Sequence, residues 1–321
     1  MEIERKFVVA SGSSVDDCHW LGYRYNAAGF KPDESDSWIV RSNGDRARSS
    51  NVAGWVTDLV RTQDTVWVTE SLGVIYRRPA TDETGPWQET RVDSGLEGIW
   101  GLHDECMFAW GQGKAPTMFH QDGRGWREVP TPGHVVAVHG TRPDLIFAVG
   151  LRGLIARWNG SAFEAMESPL SSVLRDVFVV SEDELYAVGT QGEVLRGTVH
   201  GWEIVTKHRN PLYCIAKWGD RVWVGAGKDG LFSLQGALGP EGPSLVVEKD
   251  NILAERMSVG ETLLVTAPNG IVQPVAHPKW TGYRLSTFEN LTAASPPRWA
   301  IGATDDDLDE DDWDEDDDDE S

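Results

Sequence analysis

Leu145-Ile-Phe-Ala-Val-Gly-Leu-Arg-Gly-Leu-Ile-Ala-Arg-Trp-Asn-Gly-Ser-Ala-Phe163 and, forty residues on, Leu185-Tyr-Ala-Val-Gly-Thr-Gln-Gly-Glu-Val-Leu-Arg196 follow one pattern. An apolar run ends in a tight turn at glycine, and a second apolar run follows. Outward from this pair three markers recur with a period near 40. The first is a turn glycine: Gly73, Gly113, Gly153, Gly192, Gly230 and Gly270. The second is a large apolar residue five to seven positions upstream: Trp67, Phe108, Phe147, Tyr186, Trp223 and Leu264. The third is an acid about three residues before that: Asp64, Asp104, Asp144, Asp183, Asp220 and Glu261. A fourth, aromatic, marker closes several units: Trp87, Trp126, Phe163 and Trp202.

Each unit reads as four short strands. In the fourth copy these begin at Asp176, Glu184, Glu193 and Trp202, each rich in β-branched or aromatic residues and bounded by turn formers. The acids fall in the first hairpin turn, where a short carboxylate is expected to accept a bond from the turn backbone. The glycines fall in the second, where positive φ is expected. A four-stranded sheet of this size cannot bury both faces alone. Stacking such sheets radially buries them and protects their edges, so the expected fold is an all-β propeller. Six repeats occupy residues 53–300. Residues 1–52 contain strand-like pieces (Glu4 to Val9, His19 to Tyr25, Trp38 to Arg41), read as a seventh, irregular blade or as ring-closing strands that meet the chain around Tyr283 to Phe288. Seven blades is the expectation, with six plus a cap as the alternative.

The quoted copies resemble the short bacterial propeller repeats of photosystem II assembly factor-like and sialidase-type BNR proteins. The resemblance covers most of residues 53–290 and implies fold, not activity. The nearest approach to a sialidase Asp-box, Gln121-Asp-Gly-Arg-Gly-Trp126, departs from Ser-x-Asp-x-Gly-x-Thr-Trp, so sialidase activity is not carried over.

The 321 residues include 51 acidic and 29 basic, a net charge of -22. The excess is local. Between Asp305 and Glu320 lie 14 acids and no base, and without them 37 acids face 29 bases, about -8. The segment 301–321 is therefore expected to be a disordered acidic tail. Such a body is not expected to bind nucleic acid directly, because phosphate recognition rests on a Lys/Arg-rich face. Three widely spaced cysteines, Cys18, Cys106 and Cys214, do not form a disulfide framework. With a charged N-terminus and no long apolar run, the expectation is a cytoplasmic protein, away from membranes and monomeric.

Other motifs reduce to structure. Gly225-Ala-Gly-Lys-Asp-Gly230 has the dinucleotide-loop spacing but leads into a strand, Leu231-Phe-Ser-Leu, rather than a helix. Glu2-Ile-Glu4-Arg-Lys6 resembles the start of CYTH-type triphosphate-tunnel enzymes but lacks their further strands, and is read as an edge strand. Neither His103-Asp-Glu-Cys106 nor Cys18-His19 has the second pair a zinc site wants, so no metal and no cofactor is expected.

The functional expectation is a non-catalytic propeller that binds a basic protein, a toxin or a nucleic-acid-binding effector, as an immunity protein, chaperone or inhibitor. Candidate partner-binding residues lie near the starts and ends of the inner strands: Arg175, Asp176, Arg256, His103 and Lys217. In the tail they are Leu308, Asp311, Asp312, Trp313 and Asp314, an apolar pair that anchors where carboxylates steer. The alternatives are a hydrolase or lyase with its site at the channel mouth, and a scaffold subunit of a larger complex.

Overall fold

In a computed structural model, seven antiparallel sheets stand around one axis. Described are residues 3–26, 36–44, 46–50, 52, 54–112, 115–236, 242–276, 279–284 and 298–301. Blade 1 is β1 (Ile3–Ser14), β2 (Asp17–Asn26), β3 (Asp36–Asn43) and β4 (Arg46–Ser50). Blade 2 is β5 (Val56–Arg61), β6 (Thr65–Glu70), β7 (Val74–Pro79) and β8 (Gln88–Arg91). Blade 3 is β9 (Gly98–His103), β10 (Cys106–Gln112), β11 (Pro116–Gln121) and β12 (Trp126–Glu128). Blade 4 is β13 (Val135–Arg142), β14 (Leu145–Gly150), β15 (Ile155–Trp158) and β16 (Phe163–Ala165). Blade 5 is β17 (Leu174–Ser181), β18 (Glu184–Gly189), β19 (Glu193–Thr198) and β20 (Gly201–Lys207). Blade 6 is β21 (Cys214–Trp218), β22 (Arg221–Gly225), β23 (Leu231–Gln235) and β24 (Ser244–Lys249). Blade 7 is β25 (Arg256–Val259), β26 (Leu263–Ala267), β27 (Gly270–Ala276), β28 (Lys279–Arg284) and a fifth strand, β29 (Arg298–Ile301). In each blade the first strand lines the axis and the later ones step outward. Among the described residues no helix is long and apolar enough to cross a membrane.

Seven blades are present, and the N-terminal residues form a full one. The chain does not close its ring by lending β1 to the last sheet, because β1 pairs with β2 and β28 pairs with β29. The seam is side by side instead. Phe7 N–H donates to Pro268 O (2.8 Å), Thr262 N–H to Ser13 O (3.1 Å), and the Ser258 hydroxyl to Ala10 O (2.7 Å). Tyr283, one of the expected closure residues, donates its hydroxyl to Asp16 and the Gly44 carbonyl. Phe288 lies outside the described residues, as do 302–321 with Leu308, Asp311, Asp312, Trp313 and Asp314.

The periodic markers turn out to be contacts between blades. Trp67 of blade 2 meets Trp126 of blade 3 edge-on at 5.9 Å, Phe108 meets Phe163 at 5.3 Å, and Phe147 meets Trp202 at 6.1 Å. Trp223 of blade 6 meets Trp280 of blade 7 in the same way at 5.8 Å. A second-strand aromatic thus docks against a fourth-strand aromatic of the next sheet, a geometry worth about 1 kcal/mol beyond area burial. Apolar clusters fill the spaces between neighbouring sheets, as in the one joining Leu145, Phe147 and Ile155 to Val177, Leu185 and Leu195. Burial of such faces, about 25 cal/mol per Å² of apolar area, is what drives the ring.

The glycine marker serves a close approach. Gly73, Gly153, Gly192 and Gly230 have positive φ, and a Cβ on Gly192 would stand 2.0 Å from His208 O. The chain leaving each outer strand crosses directly over this hairpin, so a side chain would be excluded even without the φ constraint. Gly270 begins β27 without positive φ, and Gly113 lies outside the described residues. Gly225–Gly230 is likewise a turn, with positive φ at Gly227 and Gly230, and it leads into β23.

Two of the acids take part in links between blades. Asp104 does not serve its own turn, where Glu105 N–H donates to His103 Nδ1 (3.3 Å). Its carboxylate reaches back to blade 2 and accepts from the Thr62 hydroxyl (2.5 Å), the Thr65 hydroxyl and the Trp67 indole N–H (3.1 Å). Asp144 pairs with Arg142 (3.0 Å), which also grips Glu182 of blade 5 (2.6 Å).

Candidate functional site

The inner strands all run in one direction along the axis, so residues at their starts collect at one mouth and residues at their ends at the other. At the first mouth a cleft of about 250 Å³ is lined by Lys6, Arg175, Tyr213, Glu255 and Arg256, with Phe7, Val8 and Val136 as its apolar wall. Below it a cavity of about 290 Å³ continues down the axis past Asp58, Asp176 and His139.

Three of the expected residues therefore converge. Arg175 is exposed at the mouth, its guanidinium 4.8 Å from the ring centre of Tyr213. Asp176 and Arg256 face the axis just beneath. Lys217 and His103 do not join them. His103 closes β9 in the hairpin at the opposite end. Lys217, near the end of β21, donates to Glu184 of blade 5 (2.6 Å), a link between sheets.

Asp58 is the residue that sequence reasoning missed. It and Asp176 are each the third residue of an inner strand, in blades 2 and 5, so aligning the inner strands would have paired them. Each carboxylate stitches two blades. Asp58 accepts from Leu59 N–H (2.9 Å) and from Ile99 N–H of blade 3 (3.1 Å). Asp176 accepts from Val177 N–H (2.9 Å) and from Ile215 N–H of blade 6 (2.9 Å). His139 does the same with a ring nitrogen. Its Nδ1 accepts from Val179 N–H of blade 5 (3.0 Å) and its ring stacks on Phe178 at 4.2 Å.

Burial pushes the Asp176 carboxyl up to about 6, although the two amides and Arg256 pull it down. Asp58 is raised for the same reason. Arg256 is exposed at the mouth, so desolvation by its neighbours only partly weakens its charge, and Asp58 and Asp176 outweigh it and hold the guanidinium above its ordinary value. Burial takes His139 down to about 4, so its imidazole is neutral. The arrangement can neutralise an anion at the mouth and can hold a proton on a carboxyl within the channel.

No protein-family model matches this sequence. Over a stretch of 71 residues the chain is 32% identical to the immune protein Tsi7 of Pseudomonas aeruginosa, which covers 22% of this chain and 23% of that protein. The match thus spans under a quarter of the relative's length. Among solved structures the chain is similar to the WD40 β-propeller domain of Doa1 (TM-score 0.62, 8% identity, 85% of this chain and 93% of that one). It is also similar to YCF48 bound to D1 peptide (TM-score 0.58, 13% identity, 85% and 93%). The fold is a seven-bladed β-propeller. That is what these likenesses share, and it agrees with the resemblance to photosystem II assembly factor-like repeats.

Proposed function

We propose that this propeller is a non-catalytic binding protein of the immunity type, which shields a basic effector with one ring face and an acidic arm. The observation that carries the reading is the stretch of likeness to an immune protein, set on a fold whose neighbour YCF48 is seen with a peptide bound. The sign of the partner comes from the sequence, since 14 acids between Asp305 and Glu320 attract a cationic surface over a Debye length, about 8 Å at physiological salt. The test is capture of partners from the native cytoplasm on full-length and 305–321-deleted protein, followed by affinities at two salt concentrations. The expected result is a basic partner held more weakly, and with less salt dependence, after deletion. A partner with no excess of Lys and Arg, or an unchanged salt slope, would refute it.

A second reading is favoured by one observation: Asp58, Asp176 and Arg256 converge in one channel, with Asp176 at about 6. That pattern also belongs to hydrolases and lyases. Here one oxygen of each carboxylate accepts from the amide of the next residue and the other from an amide of the neighbouring inner strand, which supports a structural role. A turnover that is abolished in Asp176→Asn, with the fold retained, would reverse the preference.

A further inference from the structure

We propose that the mouth bearing Arg175 and Arg256 is a receptor for a carboxylate-rich peptide segment, and that the segment it takes is this chain's own acidic run, residues 305–320. The mouth is built for carboxylate. Arg175 stands over the Tyr213 ring with its guanidinium carbon 4.8 Å from the ring centre, a cation–π contact that holds the cation at the mouth. Arg256 opens into the same cleft from the first position of β25. Among the described residues, neither arginine has a carboxylate oxygen within 4 Å, whereas Arg41, Arg61, Arg142 and Arg221 are all so paired. Asp58 and Asp176 attract Arg256 from within the channel, but their oxygens accept from the amides of Leu59, Ile99, Val177 and Ile215, and neither carboxylate forms an ion pair with it among the described residues. Two guanidinium groups lining one cleft can each fork onto a carboxylate. Glu255 stands on the same rim and confines an incoming acid to the arginine side.

The occupant follows from charge and reach. Between Asp305 and Glu320 the chain supplies 14 carboxylates, the densest such run in the sequence. The described chain leaves blade 7 at Ile301, opposite Trp280, in the fifth strand out from the axis. Four strand spacings of about 4.8 Å separate β29 from β25, roughly 20 Å. The twelve residues from Ile301 to Trp313 span up to ~40 Å when extended, which covers that distance and the height of a strand. Tethering gives the run an effective concentration on the order of millimolar. The proposal concerns this chain alone and stands or falls independently of any basic partner.

The experiment measures binding of a synthetic peptide with the sequence of residues 305–320 to tail-deleted and full-length protein. The expected result is salt-sensitive binding to the tail-deleted protein, weakened at least about tenfold by Arg175→Glu or Arg256→Gln. Full-length protein should bind the peptide about a hundredfold more weakly, because the tethered run competes. Arg175→Glu is an exposed change and keeps the test sound where Arg256→Gln disturbs folding. Equal binding by full-length and tail-deleted protein would overturn the proposal. So would absence of binding, or binding indifferent to Arg175→Glu.

Discussion

Substituting Asp104 by alanine should loosen the joint between blades 2 and 3. The carboxylate receives the Thr62 and Thr65 hydroxyls and the Trp67 indole N–H, and Trp67 is 1% exposed. Removing the acceptor leaves that indole N–H buried and unpaired, at a cost of about 1 to 2 kcal/mol. The hydroxyls lose less, since Thr62 can still donate to Thr65 O (3.0 Å), so about 0.5 kcal/mol each is expected. The sum is about 2 to 3 kcal/mol, a fall in Tm of roughly 5 °C for a domain of this size. Asp104→Asn, which keeps one acceptor and loses the charge, should fall between. Urea unfolding of the parent, Asp104→Ala, Trp67→Phe and the double variant would measure it. The acid limb gives a second check. Burial would raise the Asp104 carboxyl, but its three donors more than reverse this and hold it below its ordinary value. Its contribution is therefore present above about pH 4 and lost as pH falls through the lowered native value, so the gap between parent and Asp104→Ala should be flat from about pH 5 to 8 and shrink in acid. A destabilisation below about 0.5 kcal/mol at neutral pH, or strict additivity of Asp104→Ala with Trp67→Phe, would refute the reasoning.

Asp176 should show the opposite sign: its native carboxyl keeps a proton up to about 6, so the stability it lends below about pH 4 is lost as pH rises towards 6. Asp176→Asn should therefore gain on the parent by about 1 to 2 kcal/mol between those limits, read from urea midpoints at several pH values. His19 is wholly buried with both ring nitrogens unpartnered among the described residues, and burial takes it down to about 3. Its unfolded form takes up a proton from about pH 6.5 downward, so native stability should fall from there, and His19→Phe should flatten that fall and raise Tm at about pH 5. Gly192→Ala should cost about 2 kcal/mol or more, since it adds a methyl against His208 O at positive φ, whereas Gly201→Ala, with open space around it, should stay within about 0.5 kcal/mol by thermal melts.

The fold was legible because its markers are joints. Trp67 with Trp126, Phe147 with Trp202, and the crossing of Gly192 by His208 O each tie one unit to the next, so every copy needs the same residue type at the same place. Blade 1 was harder to read because it departs from that spacing: β1 runs twelve residues with two register shifts, and β4, Arg46–Ser50, has little apolar character. Of the proposed partner-binding residues, Arg175, Asp176 and Arg256 lie together because strand starts share a mouth, while His103 and Lys217 came from strand ends and so lie at the far opening. Asp58 escaped notice because a lone acid in an apolar strand has no periodic signature. Only its equivalence to Asp176, and the amide each catches from the next sheet, mark it.

Since blade 7 takes no strand from blade 1, the first sheet has one apolar flank with nothing to lie against until the last sheet has been made. Phe7, Trp20 and Ile271 share a cluster although more than 250 positions separate the first from the last. On the ribosome that flank must wait for nearly the whole chain to emerge. Translation pauses, or a nascent-chain chaperone covering Phe7 and Trp20, would thus bear directly on the yield of folded protein. New termini cut between two central blades, with the old ones joined, should shorten the wait for the present seam and move it elsewhere in the circle.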